Sequence, residues 1–354
     1  MKQHKHGGDI YLHGDVIDFS ANVNPLGTPE SVREAVRKSA DYVEHYPDVR
    51  CGELKKALSS YEQVPKSRLI CGNGAADLIF ALTLAVKPRH ALVLAPTFAE
   101  YEQALDSVGC KTDYFYLEET EGFQVTERIL SQITPSLDMI FLCNPNNPTG
   151  ELIHKGFLVR MLEVCRKYHV LLAVDECFLD FVPDGKAYEL SGCMEEYANL
   201  FLLKAFTKRY AMPGIRLGYG MCSDEGIIKK MEEVTQPWRV SAPAQAAGRA
   251  ALLETVYAEK SVRFVEEQKG LLRIALTDAG FQVYGSRANY LFFKGRPDFY
   301  DYCLKRGFLI RDCSNYRGLC PGWFRIAVRT QEENRRFIQM LLTFTKGEAS
   351  WLRQ

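Results

Sequence analysis

The middle of the chain alternates short, uninterrupted apolar runs with amphipathic stretches, and this alternation limits the fold more than any other feature. The runs are Ala91–Ala95 (ALVLA), Met139–Cys143 (MIFLC), Val170–Val174 (VLLAV) and Leu200–Leu203 (LFLL). A run without a polar member has no solvent face, so each predicts a strand buried on both sides. Between the second and third runs, Phe157, Leu158, Met161, Leu162 and Cys165 recur at helical spacing, which predicts an amphipathic helix. Strand–helix–strand alternation predicts an α/β fold with a mostly parallel sheet. The last third differs, with a helix-rich stretch after Pro243, short strands near Tyr290–Phe293 and Phe324–Val328, and a closing helix from Glu332. It reads as a smaller α+β unit. At about 150 residues per domain, 354 residues suggest two domains. The expected division is a large domain over 40–245 and a discontinuous small one over 1–39 and 246–354.

Charge and cysteine content narrow the function classes. Forty-four Lys plus Arg balance 44 Asp plus Glu, whereas a general nucleic-acid binder carries a basic excess. The most apolar stretch, Leu78–Val86, is too short to span a bilayer, so no membrane partner is expected. No apolar segment follows Met1–His6, so the reading is a cytoplasmic protein without a secretory signal. The 11 cysteines are odd in number, contain no C-x-x-C pair, and mostly sit in apolar runs (Cys71, Cys143, Cys165, Cys177). That pattern predicts free, buried thiols in a reducing compartment. The nearest pair, Cys313 and Cys320, is too widely spaced for zinc, so no metal is expected.

Ligands of open parallel sheets gather at the carboxyl ends of the strands, and polar sequence collects there. Leu69-Ile70-Cys71 runs into Gly72-Asn73-Gly74-Ala75-Ala76-Asp77. This is either a plain strand-to-helix turn or a helix start whose free N–H groups hold a phosphate. MIFLC runs into Asn144-Pro145-Asn146-Asn147-Pro148-Thr149-Gly150, either a stiff turn or a mount that fixes the Asn147 amide between prolines. VLLAV runs into Asp175-Glu176, and LFLL is followed four residues later by Thr207-Lys208. An acidic strand end would also suit a nucleotide hydrolase, but the required G-x-x-x-x-G-K-[ST] loop does not occur. A buried carboxylate needs a partner, and Lys204, Lys208 and Arg216 are candidates. A lysine in a dry pocket can lose its proton and attack a carbonyl. A phosphate loop, a strand-end Asp, a fixed Asn and a lysine together fit one cofactor, pyridoxal 5'-phosphate. The Asp would keep its ring nitrogen protonated.

The run from Thr207 to Tyr219 (TKRYAMPGIRLGY) resembles the lysine segment of fold-type I, class I/II aminotransferases. In that family an arginine on the cofactor phosphate follows the cofactor-binding lysine by eight residues. Arg216 lies eight after Lys208, so the resemblance selects Lys208 over Lys204. NPNNPTG and the DE pair occur in the family's order, and the resemblance covers essentially the whole chain. It implies the aspartate aminotransferase-like fold, with Asp175 on the pyridine nitrogen and Asn147 on the ring hydroxyl oxygen. Gly74, Ala75 and Ala76 would offer backbone N–H groups to the phosphate, beside the Thr207 hydroxyl and Arg216. Ala205 departs from the Ser or Thr that many relatives carry, and Thr207 would stand in for it. Tyr101 matches the aromatic stacked on the ring. Tyr46 matches the tyrosine that reaches a neighbouring subunit's phosphate, which implies a homodimer with shared active sites. For both tyrosines the alternative is core packing.

Arg311 and Arg325, fourteen apart, match the pair that grips a substrate's anionic groups; a guanidinium fork suits carboxylate and phosphate. His6 and Asn24 are further candidates for a substrate phosphate, His6 being otherwise a tail residue. His6–Ile10 (HGGDI), Asp18–Gly27 (DFSANVNPLG), Phe178 at a usual tyrosine position and Ala327–Thr330 (AVRT) resemble one branch of the family. That branch decarboxylates L-threonine O-3-phosphate to aminopropanol phosphate in cobalamin synthesis. The alternative is an aminotransferase acting on histidinol phosphate or an aromatic amino acid; a binding module that has lost its chemistry is a third reading. A small, phosphorylated amino acid would suit Arg216, Arg311, Arg325 and Arg329 ringing one pocket.

Overall fold

The computed structural model describes residues 6–351; residues 1–5, at the start read for a secretory signal, lie outside them. Strand β1 (Ile17–Asp18) and helices α1 (Glu30–Ser39) and α2 (Gly52–Glu62) come first. Then follow β2 (Leu69–Gly72), α3 (Ala75–Val86), β3 (His90–Ala95), α4 (Ala99–Ser107), β4 (Lys111–Tyr116) and β5 (Met139–Cys143). The middle continues with α5 (Lys155–Lys167), β6 (Leu171–Asp175), β7 (Leu200–Ala205), α6 (Phe206–Arg209) and β8 (Gly218–Cys222). Three helices, α7 (Glu225–Val234), α8 (Ala242–Ala251) and α9 (Thr255–Asp278), lead to β9 (Gln282–Tyr284) and β10 (Tyr290–Lys294). The chain closes with α10 (Phe299–Leu304), β11 (Phe308–Leu309), β12 (Arg311–Asp312), β13 (Trp323–Ala327) and α11 (Gln331–Trp351).

Among the described residues, seven strands form the main sheet in the order β2-β8-β7-β6-β5-β3-β4. Only β8 runs against its neighbours; the other pairings are parallel. Each apolar run divides its side chains between two cores, as a period of two demands. Leu92, Ile140, Leu172 and Leu202 pack with α2, α5 and α8. Val93, Phe141, Ala173 and Leu203 pack with α3, α4 and α7. The third run starts one residue later than the sequence predicts. Its Val170 N–H is already bonded to the Cys165 carbonyl at the end of α5, 2.8 Å away. At the other end β6 therefore reaches Asp175, putting a carboxylate on the last rung of a buried strand.

A second, antiparallel sheet has the order β12-β13-β10-β9. Its core is aromatic, with Phe293, Phe299, Phe324 and Phe337 fully buried or nearly so. The chain's start is tied to this part: Ile17 pairs with Phe308 in a parallel bridge, and the Ala327 N–H donates to the Phe19 carbonyl at 2.7 Å. Helix α8 begins at Ala242, where Ser241 caps it and Pro243 fits the first turn. Among the described residues no helix is long and apolar enough to cross a membrane. Leu172 sits fully buried in the middle of the sheet. Leu172→Ala should destabilise the protein by about 2–5 kcal/mol, seen as a lowered denaturation midpoint with an unchanged far-ultraviolet spectrum.

Candidate active site

Strand register gathers the polar strand ends into one rim. Gly218 pairs with both Gly72 and Ala205, and Asp175 lies between Cys143 and Leu203. A cavity of about 300 Å³ opens there. Of the residues the sequence singles out, His6, Ala75, Ala76, Asn147, Asp175, Thr207, Lys208, Arg216, Arg311 and Arg325 line it. Gly74, Tyr101, Asn24, Tyr46 and Arg329 are not in its wall.

One end of the cavity is an anion cradle. Helix α3 starts at Ala75, and its first N–H groups have no partner within the helix. Gly74 has φ +88°, and a Cβ there would lie 2.6 Å from Arg216 Nη2. Glycine thus lets the guanidinium lie against the positive end of the helix, an arrangement that an anion stabilises. A Cβ at Gly218 would lie 2.7 Å from the Ala75 nitrogen, so this glycine lets β8 approach the same turn.

The two lysines have opposite surroundings. Lys204 meets three glutamates: Glu189 in direct contact, Glu62 at 3.4 Å and Glu176 at 3.7 Å. Burial works against its charge, but Glu62, Glu176 and Glu189 outweigh burial and raise its pKa. Lys204 is the partner that the buried Glu176 needed. Lys208, lining the cavity, has no ion pair among the described residues. Burial, followed by Arg325 and Arg216, lowers its pKa, which favours the neutral amine that attacks a carbonyl.

Asp175 is held from behind. Its Oδ2 accepts from the Tyr101 hydroxyl at 2.7 Å and its Oδ1 from the Cys177 N–H at 2.9 Å. Burial raises its pKa, while those hydrogen bonds and Lys208 pull the other way. Tyr101 was expected to stack on a cofactor ring; instead it is fully buried, stacked on Phe141 with centroids 5.1 Å apart. The cause is helical phase: Tyr101, Ala104 and Leu105 form the buried face of α4. Phe98, just before that helix, supplies the aromatic wall. Asn147 Oδ1 accepts from Arg325 Nη1, so its amide nitrogen is the end left to serve a ligand.

Arg311 and Arg325 are direct cross-strand partners on β12 and β13, both largely buried. Arg325 donates to the Ser20 carbonyl at 2.8 Å, and Arg311 to the Asp312 carbonyl at 2.7 Å and to Asn315 Oδ1 at 2.9 Å. Both side chains line the cavity, and buried guanidinium groups there suit an anionic ligand. Asn24, expected on a substrate phosphate, instead spends its amide on the Arg209 carbonyl at 2.6 Å, and its backbone N–H on the Lys208 carbonyl at 3.1 Å. It braces the lysine turn. Asn22 lines the cavity instead, with a buried Oδ1 that has no hydrogen-bond partner among the described residues. Arg329 was expected in the ring of arginines; it lies beyond β13 and meets Glu333 at 3.2 Å, at the start of α11. Tyr46 is 80% exposed and stacks on Trp238 at 4.5 Å, so core packing is excluded for it.

The family model "Aminotransferase class I and II" matches residues 14–341. The threonine-phosphate decarboxylase of Salmonella typhimurium is 36% identical, the match covering 97% of each chain. The histidinol-phosphate aminotransferase of Methanosphaera stadtmanae is 29% identical, over 92% of this chain and 89% of its own. Among solved structures, the histidinol-phosphate aminotransferase of Clostridium acetobutylicum superposes with a TM-score of 0.87. It is 28% identical, covering 93% of this chain and 99% of that one. The chain belongs to the class I and II aminotransferase family.

The family's cofactor, pyridoxal 5'-phosphate, fits the residues present. The cradle that a Cβ at Gly74 would fill suits its phosphate, buried Asp175 suits a ring nitrogen that carries a proton, and unpaired Lys208 suits its aldehyde. Sequence reasoning missed Phe98, Glu100, Asn22, Cys143, Cys177 and Tyr316 in the wall. For Phe98 the signal existed: the spacing Tyr101, Ala104, Leu105 sends Tyr101 into the core. Lys208→Ala should abolish cofactor trapping by borohydride while leaving the melting midpoint nearly unchanged. Lys204→Met should do the reverse, because removing the cation from three carboxylates costs about 3–5 kcal/mol; absorbance of the bound cofactor and thermal melts read both.

Proposed function

We propose that this chain is a pyridoxal 5'-phosphate-dependent decarboxylase that converts L-threonine O-3-phosphate to aminopropanol phosphate. The carrying observation is the buried cross-strand pair Arg311–Arg325, which lines the same cavity as unpaired Lys208. A ligand with both a carboxylate and a phosphate offers each guanidinium an anionic group that it can bind through two hydrogen bonds. The 36% identity to a threonine-phosphate decarboxylase over 97% of both chains supports the same substrate.

Each residue then has a role. The Ala75 and Ala76 N–H groups, the Thr207 hydroxyl and Arg216 hold the cofactor phosphate, with Gly74 leaving them room. Asp175 keeps the ring nitrogen protonated, and Tyr101 holds Asp175 in place. Asn147 donates to the ring oxygen, and Phe98 covers the ring. When bound, the cofactor supplies an electron sink for the pair left by a bond broken at the substrate's Cα. Arg311 and Arg325 orient the substrate so that the Cα–carboxylate bond is the one aligned for cleavage; that choice is a matter of differential binding in the transition state. Lys208 Nζ returns a proton to Cα after carbon dioxide leaves. His6, in the N-terminal segment over the cavity, adds a contact to the substrate phosphate.

The exposed Tyr46–Trp238 stack supports a homodimer in which Tyr46 reaches the neighbouring cofactor phosphate. Eleven cysteines, all free, support a reducing, cytoplasmic setting. O-phospho-L-threonine given to the holoenzyme should release one carbon dioxide per aminopropanol phosphate. Conversion of the cofactor to its amine form without carbon dioxide would favour instead an aminotransferase, as in the histidinol-phosphate relatives. Sedimentation should show a dimer, and Tyr46→Phe should weaken cofactor retention on dialysis about 10-fold, the equivalent of one hydrogen bond to a charged group. A monomer that retains cofactor fully would overturn the shared site.

A further inference from the structure

Glu100 is the second residue of α4 and lines the main cavity. It also lines a smaller adjoining recess whose wall includes Arg311. Its Oε1 lies 3.4 Å from His6 Nδ1. Its Oε2 is buried and has no hydrogen-bond partner among the described residues. From the elements around it, Lys208 and Arg311 favour its ionised form and Asp175 opposes it; His6 faces it from the N-terminal segment. On its own helix, Glu102 is engaged with Arg317.

A bare carboxylate in the wall of an anion pocket repels the anion. A neutral carboxyl does the opposite, since its O–H donates to an acceptor oxygen. Burial pushes the Glu100 carboxyl up to about 7, so the neutral form is within reach near neutral pH. The unpartnered Oε2 is then satisfied only by a ligand that brings an acceptor, because a buried polar atom left alone costs about 1–3 kcal/mol.

We propose that Glu100 is a positioning and specificity residue: it takes up a proton as the phosphomonoester docks beside Arg311 and donates it as a hydrogen bond to a phosphoryl oxygen. No bond is broken in this step; the proton comes from solvent and stays on Glu100. The inference rests on the reading of the cavity as a site for a phosphorylated amino acid. An unphosphorylated amino alcohol lacks the phosphoryl oxygens proposed to meet Oε2 and is disfavoured for that reason.

The test is calorimetric titration of holoenzyme with aminopropanol phosphate at about pH 8, in two buffers of different ionisation enthalpy. Wild type should take up about 0.9 proton per site more than Glu100→Gln, as expected for a group that titrates near neutrality. His6→Gln should keep that uptake. The KM for O-phospho-L-threonine should rise towards tenfold per pH unit above neutrality in wild type and stay flat in Glu100→Gln, with kcat changing less. Equal uptake in wild type and Glu100→Gln, or uptake lost only in His6→Gln, overturns the role of Glu100. Absence of carbon dioxide release with the uptake difference intact overturns only the decarboxylase reading. Failure of aminopropanol phosphate to bind overturns both.

Discussion

The site depends on a carboxylate that ends a strand buried on both faces. Asp175 can stand there because its two oxygens are met by Tyr101 and the Cys177 N–H, and because Lys208 lies near enough to offset part of the burial cost. Burial nevertheless holds its pKa up, so the site gains from any ligand that brings a proton to share. A pyridine nitrogen is such a ligand. The sheet, the helix face that carries Tyr101 and the lysine turn are therefore parts of one arrangement. The brace from Asn24 to the Arg209 and Lys208 carbonyls extends it to the N-terminal segment.

Two lysines four residues apart show how surroundings divide labour. Lys204 is the penultimate residue of β7 and neutralises glutamates that would otherwise be buried without a cation. Its charge is fixed. Lys208, in the helical turn that follows, is half-buried beside Arg325 and Arg216, with no ion pair among the described residues. The same residue type thus has a fixed charge in one place and a lowered pKa in the other, and the neighbouring charges make the difference.

The sheet was legible because runs without polar residues admit few alternatives, and the observed strands differ from those runs by a residue or two at their ends. The rim was legible for a related reason: polar residues directly after such runs have to lie where the strands end. What the sequence left hidden was side-chain direction. Tyr101 and Phe98 are the exception, since the helical spacing of Tyr101, Ala104 and Leu105 already assigns Tyr101 to the core. Asn24 and Asn22 share one polar segment, and which of them reaches the cavity follows from the backbone bond between Asn24 and Lys208. Arg329 follows Arg325 by one helical turn's worth of residues, yet the strand ends between them and a helix claims its guanidinium. Glu100 has no sequence signature, since its interest comes from burial and a missing partner.

The cross-strand arginines join fold to reaction. On the proposed reading, the buried guanidinium groups of β12 and β13 hold the two ends of a dianion. Interaction energy at the non-reacting phosphate is then available to hold the reacting bond in one orientation, and such remote binding accelerates only the bond it aligns. The fold and cofactor serve both decarboxylation and transamination across the family, so neither can select the outcome. On the proposed reading, selection comes from the groups that would fix the substrate's two anionic ends: Arg311 and Arg325 by attraction, and Glu100 by admitting an anion only with a proton. A site made only of cations would hold any dianion in several poses. One carboxyl in its wall reduces them, because each pose that fails to bring an acceptor to Oε2 leaves a buried polar atom unpaired.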